Sequence, residues 1–338
     1  MVYSSQKIKK FILDNITLHQ KDIIHTAIQR FGVSRQAILK HMHALIAEKQ
    51  VLAYGKTRDR IYELRPHLNF NKTVKINEKF YPREIVGNYI TPHLDVVENN
   101  IKEIIQFSMT ALINNILEHS KAKQFYFKLF KTYNDFHIII RDNGIGIFKK
   151  IQSNLDLEDC LIAAMELAKG RITTDSENHS GDELNAILHL FDIVKIEANR
   201  KSLIYNSILN KWMIENSVHK HGTSLYLKID PASNRNCEMI FKKLFDVPNN
   251  RLTIPISLIM VPGMELINSR TQAKSILRNI ENFSQVTFDF NQVELIGPAF
   301  ADELVRESKK KNNLAKLNWI NSSKMIDVLM SRALKRFT

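Results

Sequence analysis

Residues 136–146 read Phe-His-Ile-Ile-Ile-Arg-Asp-Asn-Gly-Ile-Gly, and the way this stretch ends decides the reading of the chain. Apolar and polar residues alternate along 136–142 and along the earlier 125–130, Phe-Tyr-Phe-Lys-Leu-Phe, about the polar turn Thr132-Tyr133-Asn134-Asp135. That pattern predicts an antiparallel strand pair. Asp142 then stands at a strand end, where a carboxylate can accept the exocyclic amine of adenine. Gly144 and Gly146 let the backbone pass close beneath a base and ribose.

Three further segments fit the same chemistry. Residues 94–120 read as one long helix, which brings Asn114, Asn115 and His119 to its last turns. An Asn side-chain oxygen is a suitable hard ligand for Mg²⁺ beside phosphates. Residues 169–184, KGRITTDSENHSGDEL, form a polar loop that ends at a helix start. Backbone N–H groups there, with Lys169, Arg171, Ser180 and Gly181, are placed to meet an anion. Gly222-Thr223-Ser224-Leu225 opens a strand, where the Thr223 hydroxyl can close an adenine pocket.

An Asn-bearing helix, a DxGxG strand end, a glycine-bearing lid and a GTS strand, in this order, resemble the GHKL superfamily. That superfamily holds histidine-kinase catalytic domains, gyrase-type ATPases, heat-shock-90 chaperones and anti-sigma-factor kinases. The resemblance covers roughly residues 80–230. It implies a Bergerat-type α/β sandwich binding ATP and Mg²⁺ between helices and sheet, with Asn115 on the metal. Asn114, His119, Asp142, Gly144, Gly146, Lys169, Arg171, Ser180, Gly181 and Thr223 are implied as the other nucleotide contacts. Two departures stand out. The superfamily places a general-base Glu four residues before the metal Asn, and that position is Ala111 here. Removing such a base costs roughly 10²–10⁴-fold in rate. The lid keeps only the first of the usual paired glycines, because Glu183 stands two residues after Gly181.

Upstream, residues 6–15, 20–30 and 35–49 each carry an apolar helical face. Gly32 turns the chain between the second and third, and Ser34 is a predicted N-cap. This is a helix-turn-helix layout in which Ser34, Arg35 and Gln36 face base edges and Lys40 a phosphate. A hairpin with a basic tip follows, Gly55-Lys-Thr-Arg-Asp59, and Lys56, Arg58 and Arg60 are its expected phosphate or minor-groove contacts. Residues 1–66 carry seven Lys, five Arg and five acidic residues, so about half of the chain's net charge of +13 sits in its first fifth. Such local excess is the footprint of a phosphate-backbone binder. A winged helix-turn-helix over 1–66 is expected, followed by a linker at 67–79 and the ATP-binding domain at 80–232.

Residues 233–338 read as β-α-β-α-β-α, which implies a small open sheet covered by helices. SRTQAKSIL, FDFNQVELIGPAFADEL and NSSKMIDVLMSRA resemble the STAS-like domain found after GHKL modules in some bacterial regulators. The position of its usual phosphorylatable Ser reads Gly297-Pro298-Ala299. Asp302 and Glu303 are candidate partner contacts, and Ser269 and Arg270 are candidates to face the nucleotide lid.

The chain has 338 residues, enough for two or three domains. No stretch approaches the ~18 apolar residues of a membrane span, and the first residues are too charged for a signal peptide. A cytoplasmic protein is therefore expected. Cys160 and Cys237, the only cysteines, have no metal-ligand spacing and read as free buried thiols. The fold expected is multidomain α+β. The function expected is an ATP-binding transcription regulator with DNA, a protein partner at the STAS-like domain and a second copy of itself as partners, and no membrane. Two alternatives stay open: a protein kinase or slow Mg-ATPase, and a nucleotide-free interaction scaffold.

Overall fold

The computed structural model describes residues 4–56, 59–76, 81–170, 182–245, 251–260, 263–281 and 283–337. The first unit is three helices and a hairpin: α1 (Ser5–Asn15), α2 (Ile23–Phe31), α3 (Arg35–Ala47), β1 (Val51–Tyr54) and β2 (Ile61–Leu64). Ser4 and Ser34 cap α1 and α3 by accepting from Lys7 N and Ala37 N, and Gly32 ends α2 in the left-handed conformation at φ 64°. Ile12, Ile23, Ile38, Met42 and Leu45 are fully buried in a core of this unit's own.

The middle unit is a seven-stranded antiparallel sheet with helices against one face. Its elements are β3 (Leu68–Lys75), α4 (Pro82–Tyr89), α5 (Asn99–His119), β4 (Gln124–Lys131), β5 (Phe136–Asp142), α6 (Ile147–Asn154), α7 (Cys160–Lys169), α8 (Asp182–Leu190), β6 (Ile193–Ala198), β7 (Lys201–Asn206), β8 (Lys211–Asn216), β9 (Thr223–Ile229) and α9 (Cys237–Phe245). The strand order is β3-β4-β5-β9-β6-β7-β8. Phe125, Phe127, Leu129, Ile138, Ile140 and Leu227 point inward and are buried. They meet Ile101, Ile104, Ile105, Met109, Leu112 and Ile116, the apolar stripe of α5.

Two expected boundaries shift. The segment expected as a linker contains β3, which pairs with β4 from Leu68 opposite Lys131 to Lys75 opposite Gln124. Phe70 drives this pairing: its ring lies 4.0 Å from that of His93 and 6.1 Å from that of Phe127. On the same face, Lys72 Nζ sits 3.7 Å above the Tyr89 ring. The sheet unit therefore starts at 68 rather than 80. At its other end, α9 packs on α5 and α8, with Phe241 edge-on to Phe107 at 5.0 Å, so it belongs to the middle unit's helical layer. The last unit begins after 245 rather than at 233.

That unit contains β10 (Arg251–Pro255), β11 (Leu266–Ile267), α10 (Arg270–Ile276), β12 (Gln285–Asp289), β13 (Leu295–Ile296), α11 (Pro298–Lys311), β14 (Lys316–Ile320) and α12 (Lys324–Phe337). The parallel sheet β10-β12-β14 is joined by a short parallel pair, β11-β13. The strand expected over 253–262 ends at Pro255, where Ile256–Ile259 coil into a buried 3₁₀ turn. One continuous apolar core runs from Val74 through Ala333, so the middle and last units share an interior. Among the described residues, no helix is long and apolar enough to cross a membrane.

Candidate functional site

The C-terminal end of β5, the C-terminal end of α5 and the start of β9 converge on one loop. Asp142 is buried at 8% exposure and anchors it. Its Oδ1 accepts from Gly144 N at 2.7 Å, its Oδ2 from Thr223 N at 3.2 Å, and the Thr223 side chain also hydrogen-bonds to it. Burial pushes the Asp142 carboxyl above the ordinary carboxylate range, against the pull of these donors. Thr223 Oγ1 also accepts from Ile147 N at 3.0 Å, so one hydroxyl ties Asp142 to the start of α6.

The glycines have separate reasons. A Cβ on Gly144 would lie 2.1 Å from the Ser120 carbonyl oxygen. That carbonyl accepts from Ile145 N at 2.9 Å and holds the loop on the end of α5. Gly146 has φ 84° and lies against the Asn199 amide. Gly222 N donates to Gly144 O at 2.9 Å and closes the loop onto β9.

On α5, Asn114, Asn115 and His119 are half-buried. Neither Asn amide is hydrogen-bonded to a described residue. Asn115 is the residue whose amide oxygen suits a divalent cation, and Ala111 one turn earlier is buried at 2% exposure. No cluster of three or more His, Cys, Asp or Glu able to hold a metal occurs among the described residues. Arg171, Ser180 and Gly181 lie outside the described residues.

Lys169 departs from its expected role. Its side chain, 2% exposed, closes on Glu166 Oε1 at 2.5 Å, with Glu166 at 3%. Lys169 Nζ also donates to Arg278 O at 3.1 Å, and Asn279 Nδ2 donates to Glu166 Oε2 at 3.1 Å. This ammonium ties the end of α7 to the chain just after α10 and does not present itself to an anion. Burial pulls its pKa below the usual Lys value, and Glu166 partly restores it. Arg278 also pairs with Glu158 at 2.5 Å.

Asn199 was not legible as a site residue. Asn199 and Arg200, at φ 50° and 66°, form the two-residue turn between β6 and β7. From there Asn199 Nδ2 donates to Ile145 O at 2.9 Å, while Oδ1 accepts from Lys149 N at 3.0 Å. It caps α6 in place of Gly146, which has no side chain. Only the fold shows that this turn reaches α6.

In the first unit, Ser34, Arg35, Gln36 and Lys40 are exposed on one side of α3, and Lys56 is exposed at the hairpin tip. Arg58 lies outside the described residues. Arg60 is half-buried, with its guanidinium 5.6 Å from the Tyr62 ring centroid and its Nε buried without a hydrogen-bond partner among the described residues. It is therefore less free for a phosphate than its position in the sequence implied.

In the last unit, Glu303 is 3% exposed and held by Arg306 and Lys274, and Asp302 pairs with Arg336 at 2.8 Å. The Glu303 carboxylate is enclosed, whereas Asp302, 30% exposed beside a largely exposed Arg336, keeps a solvent-facing edge. Ser269 caps α10, accepting from Gln272 N at 3.4 Å. It is the opposite, C-terminal end of α10 that meets α7. A Cβ on Gly297 would fall 1.8 Å from Asn268 Oδ1, so a larger residue there would have to displace that side chain. Cys160 and Cys237 are free and only half-buried, and burial pushes the Cys237 thiol up to about 11.

Taken together, these units make a multidomain α/β protein with a buried carboxylate loop at its centre. Residues 272–327, from α10 into α12, match the family model of a STAS-like domain of unknown function (DUF4325), so the chain carries a STAS-like domain at its C-terminal end. A search of curated proteins finds no match to the chain.

Proposed function

We propose that the chain is an ATP-binding transcription regulator in which nucleotide occupancy of the middle unit alters DNA binding by the first. On this reading residues 80–232, extended at both ends to 68–245, form a Bergerat-type GHKL domain, and residues 1–66 form a winged helix-turn-helix. The observation that carries it is the Asp142 loop. A desolvated carboxylate oriented by Gly144 N and Thr223 N, beneath a backbone that leaves no room for side chains at 144, is built to accept a hydrogen bond from a flat ligand. Adenine supplies such a donor in its exocyclic amine. Asn115 would hold Mg²⁺ beside the phosphates. When bound, the metal neutralises phosphate charge, a need sharpened by the withdrawal of Lys169.

With Ala111 where a general base is needed, the nucleotide acts as a ligand rather than a substrate. A ligand shifts an equilibrium only through differential contact with two states. The element placed to sense it is the end of α7, which leads into residues 171–181 on one side and contacts the STAS-like unit on the other. A homodimer on a palindromic operator, a protein partner at the STAS-like domain and a cytoplasmic location belong to the same reading.

The test is duplex DNA affinity measured with and without a non-hydrolysable ATP analogue and Mg²⁺. The proposal expects a shift of at least about 5-fold, the lower end of common coupling energies. Arg35→Ala should relax sequence preference, whereas Lys56→Ala should weaken all sequences alike. Equal affinity with and without nucleotide would refute the coupling. The second reading, a nucleotide-free scaffold, is favoured by the commitment of Lys169 to Glu166. It predicts no heat on titration with the analogue.

A further inference from the structure

The helices cover one face of the seven-stranded sheet, and the other face has a composition of its own. Strand register places Tyr126, Lys128 and Phe130 of β4 on it, opposite Arg141, Ile139 and His137 of β5. Across β9 and β6 the same rows continue through Tyr226, Lys228 and Lys195. Most of these side chains are exposed or half-buried, unlike the inward set. On the four central strands, four cations (Lys128, Arg141, Lys195 and Lys228) face outward against one carboxylate, Glu197.

The rings are contiguous. Phe130 and His137 lie 5.8 Å apart between centroids, and His137 and Tyr226 lie 5.5 Å apart. The Tyr226 hydroxyl and His137 Nδ1 are hydrogen-bonded at 2.7 Å, which fixes both rings. Lys228 is held by Asp135 at 2.7 Å and Lys195 by Glu197 at 3.0 Å. Lys128 forms no ion pair among the described residues and sits 5.3 Å over the Phe130 ring. Lys128, Phe130, His137, Ile139 and Tyr226 line a shallow cleft of about 250 Å³. At this end of the sheet, Asn134 in the β4–β5 turn donates to Leu13 O at 2.8 Å, so the cleft opens beside the basic first unit.

We propose that this open sheet face binds single-stranded nucleic acid, with bases on the Phe130–His137–Tyr226 rings and phosphates on Lys128 and its basic neighbours. Stacking rings interleaved with cations on an exposed sheet suit a polyanion whose units carry π-faces. A second copy of the same face is disfavoured, because face-to-face pairing would set Lys128 and Arg141 against like charges. An acidic protein segment satisfies the cations but leaves the rings without planar partners.

The experiment is fluorescence anisotropy of the full chain with a labelled oligothymidine of about a dozen nucleotides, across a salt series, with polyglutamate as the control polyanion. Lys128→Ala should lower the salt slope by about 0.7, the value for one phosphate contact on a single strand. Phe130→Ala should weaken binding about 5- to 100-fold at an unchanged slope, because stacking is not a counterion effect. Loss of folding would not separate the two variants in this way. Three results overturn the proposal: no oligothymidine binding at ~50 mM salt, equal slopes and affinities for both variants and the parent, or polyglutamate binding as tight as oligothymidine.

Discussion

Asp142 and Lys169 are both ionisable groups in low-exposure sites, and the structure treats them differently. Asp142 has backbone donors and a hydroxyl but, among the described residues, no cation in hydrogen-bonding contact, so it keeps acceptor capacity for a ligand. Lys169 is neutralised by Glu166, three residues earlier on the same helix face. Removing one partner of a buried pair leaves the other uncompensated, at a cost of about 3–5 kcal/mol. Lys169→Met should therefore lower stability by that amount in urea denaturation, while Lys169→Met with Glu166→Leu should recover most of it. Equal losses in the single and double variants would contradict a buried pair.

His189 on α8 is a second buried group with a defined sign. Burial, then Lys243 and Arg235, hold its pKa below the ordinary value of 6.5, and its Nδ1 donates to Asn185 O. The unfolded chain thus takes up the proton first as pH falls. The stability contributed by neutral His189 is full above 6.5 and is lost as pH falls from there through the lower folded value. Denaturation midpoints followed from about pH 7.5 to about 5.5 should fall more steeply for the parent than for His189→Phe. Parallel curves would remove His189 as a source of acid sensitivity. That Asp142, Gly144 and Thr223 meet in one loop could be expected from the DxGxG and GTS segments, which end and open adjacent strands. The Lys169–Glu166 pair was not read from the sequence, because a Lys beside a polar run resembles an anion contact, although Glu166 stands one turn back.

At the scale of elements, alternation served where it was clean. β4 and β5 were legible from their near-alternation about a polar turn, and β10, β12 and β14 from short strand-like segments bounded by helices. The helix order of the first unit followed from Gly32 and the Ser34 cap. β3 was lost because Pro66 reads as a breaker, and Asn69, Asn71 and Lys72 dilute the apolar set of Leu68, Phe70 and Val74. β6, β7 and β8 follow a segment read as lid, and their turns are Asn-rich rather than glycine-marked. The difference between strand and connector is measurable. Phe70→Ala should cost about 1–2 kcal/mol, below the ~3 kcal/mol of a fully buried aromatic because Phe70 is half-buried. A change below about 0.5 kcal/mol, typical of an exposed linker, would contradict the pairing of β3 with β4.

At the scale of the molecule, the first unit has its own core while the middle and last units share one. On the regulatory proposal, a signal at the Asp142 loop would reach the STAS-like unit through the contact of α7 and Lys169 with Arg278. Its route to the first unit is narrower: β3 follows directly from β2, and Asn134 holds Leu13 O. On that proposal, which of two states the nucleotide prefers sets the direction of the shift. Every part of the regulatory reading nonetheless requires that Asp142 hold a purine. Isothermal titration of a non-hydrolysable ATP analogue with Mg²⁺ into the full chain and into Asp142→Asn tests this most directly. The account predicts saturable heat near one site per chain for the parent, and an affinity at least about 10-fold weaker for the variant, the cost of one hydrogen bond to a charged group. Equal affinity in the two proteins, or no heat from the parent, would contradict it.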